Sequence, residues 1–175
     1  KNLNYSFIAI YSLYLGINGI MIIIISISTK IFTPVLSMNF NKHNIENYKS
    51  KISEAISFVL FWLFPMAIGL NIIAGNLIDV ISQGKIEIKI GTFLLFSIFQ
   101  IFLNFIFFLR NLLNIENKSK FYASSILIAL IINILLIYYF KPVEINQFIY
   151  FKLISLALVL VSIIIILKKN IIINS

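Results

Sequence analysis

Ile31-Phe32-Thr33-Pro34-Val35-Leu36-Ser37 closes one long apolar run, and the polar stretch from Asn39 to Glu54 leads from it into a second. The fold turns on this junction. The run before it, Tyr5 to Ser28, and the run after it, Ala55 to Ile78, hold no charged residue. A helix of about 20 apolar residues crosses the hydrocarbon core of a bilayer. A proline shortly after such a run removes a backbone donor and clashes with the preceding turn. Pro34 stands in the stretch that ends the first apolar run.

Working outward, three more runs have the required length: Ile90 to Leu109, Phe121 to Phe140, and Gln147 to Leu167, the last with only Lys152 near its start. Strands of this length are unusual, and in lipid a helix satisfies all of its own backbone groups. The expectation is an all-α integral membrane protein. Its single domain, residues 1–175, is a bundle of about five transmembrane helices over 5–28, 55–78, 90–109, 121–140 and 147–167.

Composition agrees. Of 175 residues 61% are hydrophobic and 11% are charged, and the mean hydropathy is +1.03. Soluble domains carry about 25% charged residues, so this chain has too few to cover a globular surface. The net charge of +8 is not a nucleic-acid footprint. Its lysines sit in short connectors instead of clustering on one face, as the cytoplasmic loops of membrane proteins do.

Those connectors predict an orientation. Lys30, Lys42, Lys49, Lys51, Arg110, Lys118, Lys120, Lys168 and Lys169 fall on one side; Lys1, Lys85, Lys89, Lys141 and Lys152 fall on the other. The richer side should be cytoplasmic, which places the C-terminus there. Lys1 stands where an initiator methionine would be, and the chain is read as part of a longer protein.

No catalytic kit is present. The chain has no cysteine and one histidine, His43, which is read as a solvated loop residue rather than a ligand or base. Glu46, Glu54, Asp79, Glu87, Glu116 and Glu144 all lie in connectors or at run ends, so no carboxylate sits where ion or proton coupling within the membrane would want one. No metal site, no cofactor and no covalent chemistry are expected. Lys152 is read either as a side chain snorkelling to the headgroups or as a charge lining a water-filled cavity.

Polar residues do fall in stripes. Ser97, Gln100, Asn104 and Asn111 share one helical face; Tyr11, Tyr14, Asn18 and Ser26 share another, flanked by Gly16 and Gly19. Ser155 and Ser162 align in the last run, and Ser125, Ala129 and Asn133 in the fourth. Such stripes serve interhelical hydrogen bonding and close packing. Alternatively, they line a hydrophilic cavity, where Tyr14, Asn18, Gln100 and Asn104 would meet sugar hydroxyls because amides and phenols donate and accept. Pro65, with Gly69 one turn on, predicts a kink near Phe61 to Pro65 that serves packing or lets a bundle rock.

The order of short motifs also carries a resemblance. Thr33-Pro34-Val35-Leu36-Ser37 is followed by Tyr48-Lys49 and by Phe64-Pro65-Met66-Ala67-Ile68-Gly69-Leu70. Then come Asn76-Leu77-Ile78-Asp79-Val80-Ile81 with Gly84, and Leu109-Arg110-Asn111-Leu112-Leu113. Over roughly Tyr5 to Tyr139 this resembles the C-terminal half of Wzx-type polysaccharide or O-antigen flippases, in the multidrug/oligosaccharidyl-lipid/polysaccharide exporter superfamily. The resemblance implies most of one lobe of a two-lobe exporter, with the runs matching its eighth to twelfth helices and the N-terminal lobe missing. It further implies a multi-pass protein of the inner (plasma) membrane that moves an undecaprenyl-pyrophosphate-linked glycan by alternating access, with Pro65 and Gly69 as flexing points and Pro34 ending a helix at the cytoplasmic face. The sequence departs from the family at Lys141-Pro142-Val143-Glu144-Ile145-Asn146, where a small-residue segment is usual. Three other readings stay open: a cation-coupled multidrug exporter of the same superfamily, a membrane-embedded glycosyltransferase or polymerase, and a non-catalytic membrane subunit.

Overall fold

The computed structural model describes residues 5–42, 45–85 and 89–173; His43 and Glu87 lie outside them, as do the side chains of residues 5–7 and 168–173. Helices α1 (Tyr5–Asn18), α2 (Ile22–Asn41), α3 (Ile45–Ser82), α4 (Ile90–Ile115), α5 (Ser119–Phe140) and α6 (Ile145–Ile173) follow in order, and a 3₁₀ turn over Gly19–Met21 joins the first two. Among the described residues there is no strand. Five helical segments are long and apolar enough to cross a membrane, α1 and α2 together counting as one. This is a multi-pass membrane protein.

The centre is α4. It packs against all the other helices, whereas α5 touches α6 and, less extensively, α4. Over half of α4's apolar window is buried, 56%, against 6% for α5. Phe93, Phe96, Ile106, Phe108, Leu112 and Leu113 of α4 fill the core against Val59, Leu63 and Ile78 of α3 and Leu36 of α2. The outside is apolar as well. Phe61, Trp62, Phe64, Ile72, Leu127, Ile128 and Tyr138 are all exposed, as residues facing acyl chains should be.

Pro34 does not end a helix. It sits inside α2, which runs on to Asn41. A proline in a helix interior costs about 3 kcal/mol. Here Phe32 and Leu36 on either side of it are buried, with Phe32 stacked edge-on to Phe58 of α3 at 5.6 Å. That packing holds the helix together through the missing hydrogen bond.

The polar stretch before the second run is likewise helical from Ile45 onward. At about 1.5 Å per residue α3 is about 57 Å long, nearly twice the hydrocarbon thickness. Its first turns, with Glu46, Lys49 and the Lys51–Glu54 ion pair, therefore stand outside the hydrocarbon. Once Ala55 to Ile78 is helical, adding turns needs no new nucleus. Pro65 lies within the same unbroken helix.

The first run is broken where one helix was expected. Gly19–Met21 winds as a 3₁₀ turn, directly after Asn18 donates Nδ2–H to the Tyr14 carbonyl at 3.0 Å. A side chain that competes for the carbonyl of residue i−4 disturbs the helical ladder, and Gly19 has little hold on helical geometry. Gly16 and Gly19 are not close-packing positions: a Cβ at either would meet nothing within 4 Å.

Helix ends use left-handed caps. Gln83 and Gly84 (φ 54° and 71°) close α3, Asn117 (φ 58°) closes α4, and Lys141 (φ 43°) closes α5. Gly84 N–H reaches back to the Asp79 carbonyl at 3.0 Å, and Lys118 N–H to Leu113 at 2.7 Å. These bonds satisfy carbonyls that a helix end would leave bare.

Candidate functional site

The polar stripes meet one another along α4. At its first turns Tyr14 is buried, with its hydroxyl accepting the Lys89 backbone N–H at 3.3 Å and its ring edge-on to Phe93 and Phe96 at 5.2 and 5.4 Å. One layer deeper the Ser97 hydroxyl donates to Asn18 Oδ1 at 2.8 Å and accepts from Asn71 Nδ2 at 2.8 Å. Three helices, α1, α3 and α4, are joined at this node. Deeper still, Asn104 Nδ2 donates to the carbonyl and the side-chain oxygen of Gln100, at 2.8 and 3.3 Å.

Tyr14, Asn18, Gln100 and Asn104 are thus at most 4% exposed. Tyr14 and Asn18 are brought together with Ser97, while Gln100 and Asn104 pair with each other on α4. Asn18 and Tyr14 hydrogen-bond to α4 and to the residue before it, whereas the Gln100–Asn104 bonds stay within α4. Stripes on the last two helices zip in the same way: Ser162 donates to Ser125 at 2.9 Å, and Asn133 to Ser155 at 3.3 Å. In hydrocarbon such bonds have little competition from water.

Asn71 was not singled out by the sequence. In a chain so rich in Ile, Asn and Lys, one more asparagine in the second run carries little weight. The available signal was its spacing from Ala67 and Ala74, which are buried on the same face.

Lys152 occupies a cage. Its Nζ lies over the rings of Tyr11 (4.8 Å), Phe148 (4.7 Å) and Phe99 (5.7 Å to centroid), and donates to the Tyr11 hydroxyl. The rings come from α1, α4 and α6, so the cation ties three helices. Ring faces attract a cation, by about 2 kcal/mol or more when it is desolvated.

The opposite end holds an open cavity of about 470 Å³ between α2 and α4. Lys30 and Arg110 stand at it, with Ser26, Thr29 and Asn111 between them and Ile22, Ile25 and Phe107 below. Asn111 Nδ2 donates to Thr29 Oγ1 at 3.2 Å, fixing the two helices side by side. None of Tyr14, Asn18, Gln100 and Asn104 lines this cavity. At the same end the Tyr48 hydroxyl donates to Glu116 Oε1 at 3.1 Å, and Lys118 Nζ bonds Glu116 Oε2 at 2.9 Å. Among the described residues no group of acids and histidines forms a metal site.

Comparison with protein-family models, with curated proteins and with solved structures finds no match to this chain. Function must be argued from the residues themselves.

Proposed function

We propose that this chain forms most of the C-terminal lobe of a lipid-linked oligosaccharide flippase, which moves an undecaprenyl-pyrophosphate-linked glycan across the inner (plasma) membrane. The observation that carries the reading is the order of its motifs on successive spanning helices. Thr33-Pro34-Val35-Leu36-Ser37 lies on α2, Phe64 to Leu70 in mid-α3, and Leu109 to Leu113 on α4. This order resembles that of Wzx-type exporters.

In this reading no covalent chemistry occurs and the protein is not an enzyme. The bundle rocks between two states, with Pro65 and Gly69 of α3 as flexing points. The α2–α3 and α4–α5 connectors face the cytoplasm, as does the C-terminus. Tyr14, Asn18, Gln100 and Asn104 become available to sugar hydroxyls only when helices separate, because they are buried in the packed arrangement.

Deleting the gene tests this. Lipid-linked oligosaccharide should accumulate on the cytoplasmic leaflet, and the polysaccharide should vanish from the cell surface. Unchanged surface polysaccharide with no accumulated intermediate would refute the reading.

A further inference from the structure

We infer that the cavity between α2 and α4 is a binding site for an anionic glycerophospholipid, whose phosphate sits at Lys30 and Arg110. The site stands whether or not the chain moves glycans, since it rests only on the membrane-spanning arrangement and on the residues of the cavity.

Charge comes first. Lys30 and Arg110 are the first cations after their respective apolar runs, and the Thr29–Asn111 bond sets them at one level. Both are exposed. Neither belongs to an ion pair among the described residues, where the two pairs are Lys51–Glu54 and Lys118–Glu116. The Tyr122 ring lies against the Arg110 guanidinium, 5.7 Å to centroid, and brings no charge to neutralise it. Two unneutralised cations at the edge of hydrocarbon call for an anion, and a guanidinium and an ammonium together favour phosphate.

Polarity then grades along the groove as it does along a lipid. The hydroxyls of Ser26 and Thr29 lie just inside the two cations and suit ester oxygens. Ile22, Ile25 and Phe107 lie deeper and suit the first carbons of an acyl chain. Ile22 and Ser26 are exposed along the helix flank, so the groove opens sideways into the leaflet and a lipid enters by lateral diffusion.

Size suits a phosphate lipid. A volume of about 470 Å³ holds a phosphodiester with the first part of its chains. Charge selects further: a choline headgroup would bring its own ammonium against Lys30 and Arg110.

The test uses the purified full chain and native mass spectrometry, with phosphatidylglycerol, phosphatidylcholine, undecaprenyl phosphate or inorganic phosphate added in turn. Phosphatidylglycerol should be retained in preference to phosphatidylcholine and to undecaprenyl phosphate. Equimolar inorganic phosphate should fail to displace it. Lys30→Gln with Arg110→Gln should weaken retention about twenty-five-fold, two surface charges contributing about fivefold each. Lys85→Gln with Lys141→Gln, at the other end of the bundle, should leave it unchanged. Equal retention of phosphatidylcholine, preference for undecaprenyl phosphate, displacement by inorganic phosphate, or full retention by a folded Lys30/Arg110 double variant would each overturn the assignment.

Discussion

Ser97 carries more of the structure than its size indicates. Its hydroxyl donates to Asn18, with the Phe93 carbonyl a longer second acceptor at 3.2 Å, and accepts from Asn71, so α1 and α3 are both held to α4 through a single group. Hydrogen bonds between membrane helices average about 0.6 kcal/mol and reach about 1.7. Ser97→Ala should therefore destabilise the fold by about 1–2 kcal/mol, measured by unfolding in mixed micelles. A smaller loss in Ser97→Ala once Asn71 is already alanine would show that the node acts as a unit. Lys152 is a second such residue with opposite logic. Lys152→Met removes a cation whose desolvation already offsets much of its attraction to the rings, so stability should change by less than about 1 kcal/mol. Lys152→Glu would instead turn a carboxylate toward the electron-rich faces of Tyr11, Phe99 and Phe148, and the same unfolding assay should show a marked loss.

At the level of elements, α3 combines three breakers, Pro65, Gly69 and Gly75, with full helical continuity. Pro65 and Gly69 cost the helix about 3 and about 1 kcal/mol relative to alanine. A Cβ at Gly69 would meet nothing within 4 Å, so Gly69→Ala should raise the unfolding midpoint by an amount equivalent to about 0.5–1 kcal/mol. If α3 flexes during transport, the same variant should lower export while being more stable; unchanged export would leave Gly69 without a mechanical role. Elements were also where the sequence misled. Pro34 reads as a helix end because local chemistry opposes a helix there, yet Phe32 and Leu36 pack it into one. The turn at Gly19 was hidden for the same reason in reverse: apolar periodicity runs straight through it, and only the Asn18 back-bond reveals the break. By contrast, the five spans were legible, because their length and their lack of charge are imposed by lipid rather than by neighbours. The stripes on α5 and α6 were legible too, since serines and an asparagine at helical spacing have few other partners in hydrocarbon.

On the scale of the whole molecule, the connectors sort themselves to two ends. Tyr48 near the start of α3 meets Glu116 at the end of α4, which places the α2–α3 and α4–α5 connectors together. Tyr14 of α1 meets Lys89 at the start of α4, which places the α3–α4 connector at the other end. The positive-inside rule then predicts that the first end faces the cytoplasm. The chain is well suited to checking this because it has no cysteine of its own. Single substitutions Lys42→Cys, Lys118→Cys, Lys85→Cys and Lys141→Cys can each be probed in intact cells with a membrane-impermeant thiol reagent. Cysteines at 85 and 141 should react from outside, and those at 42 and 118 only after the membrane is opened. The reverse pattern would invert the molecule and count against the proposed flippase reading, which requires the first span to run inward. Labelling of all four from one side would contradict the five spans themselves, because an odd number of crossings separates 42 from 85 and 118 from 141.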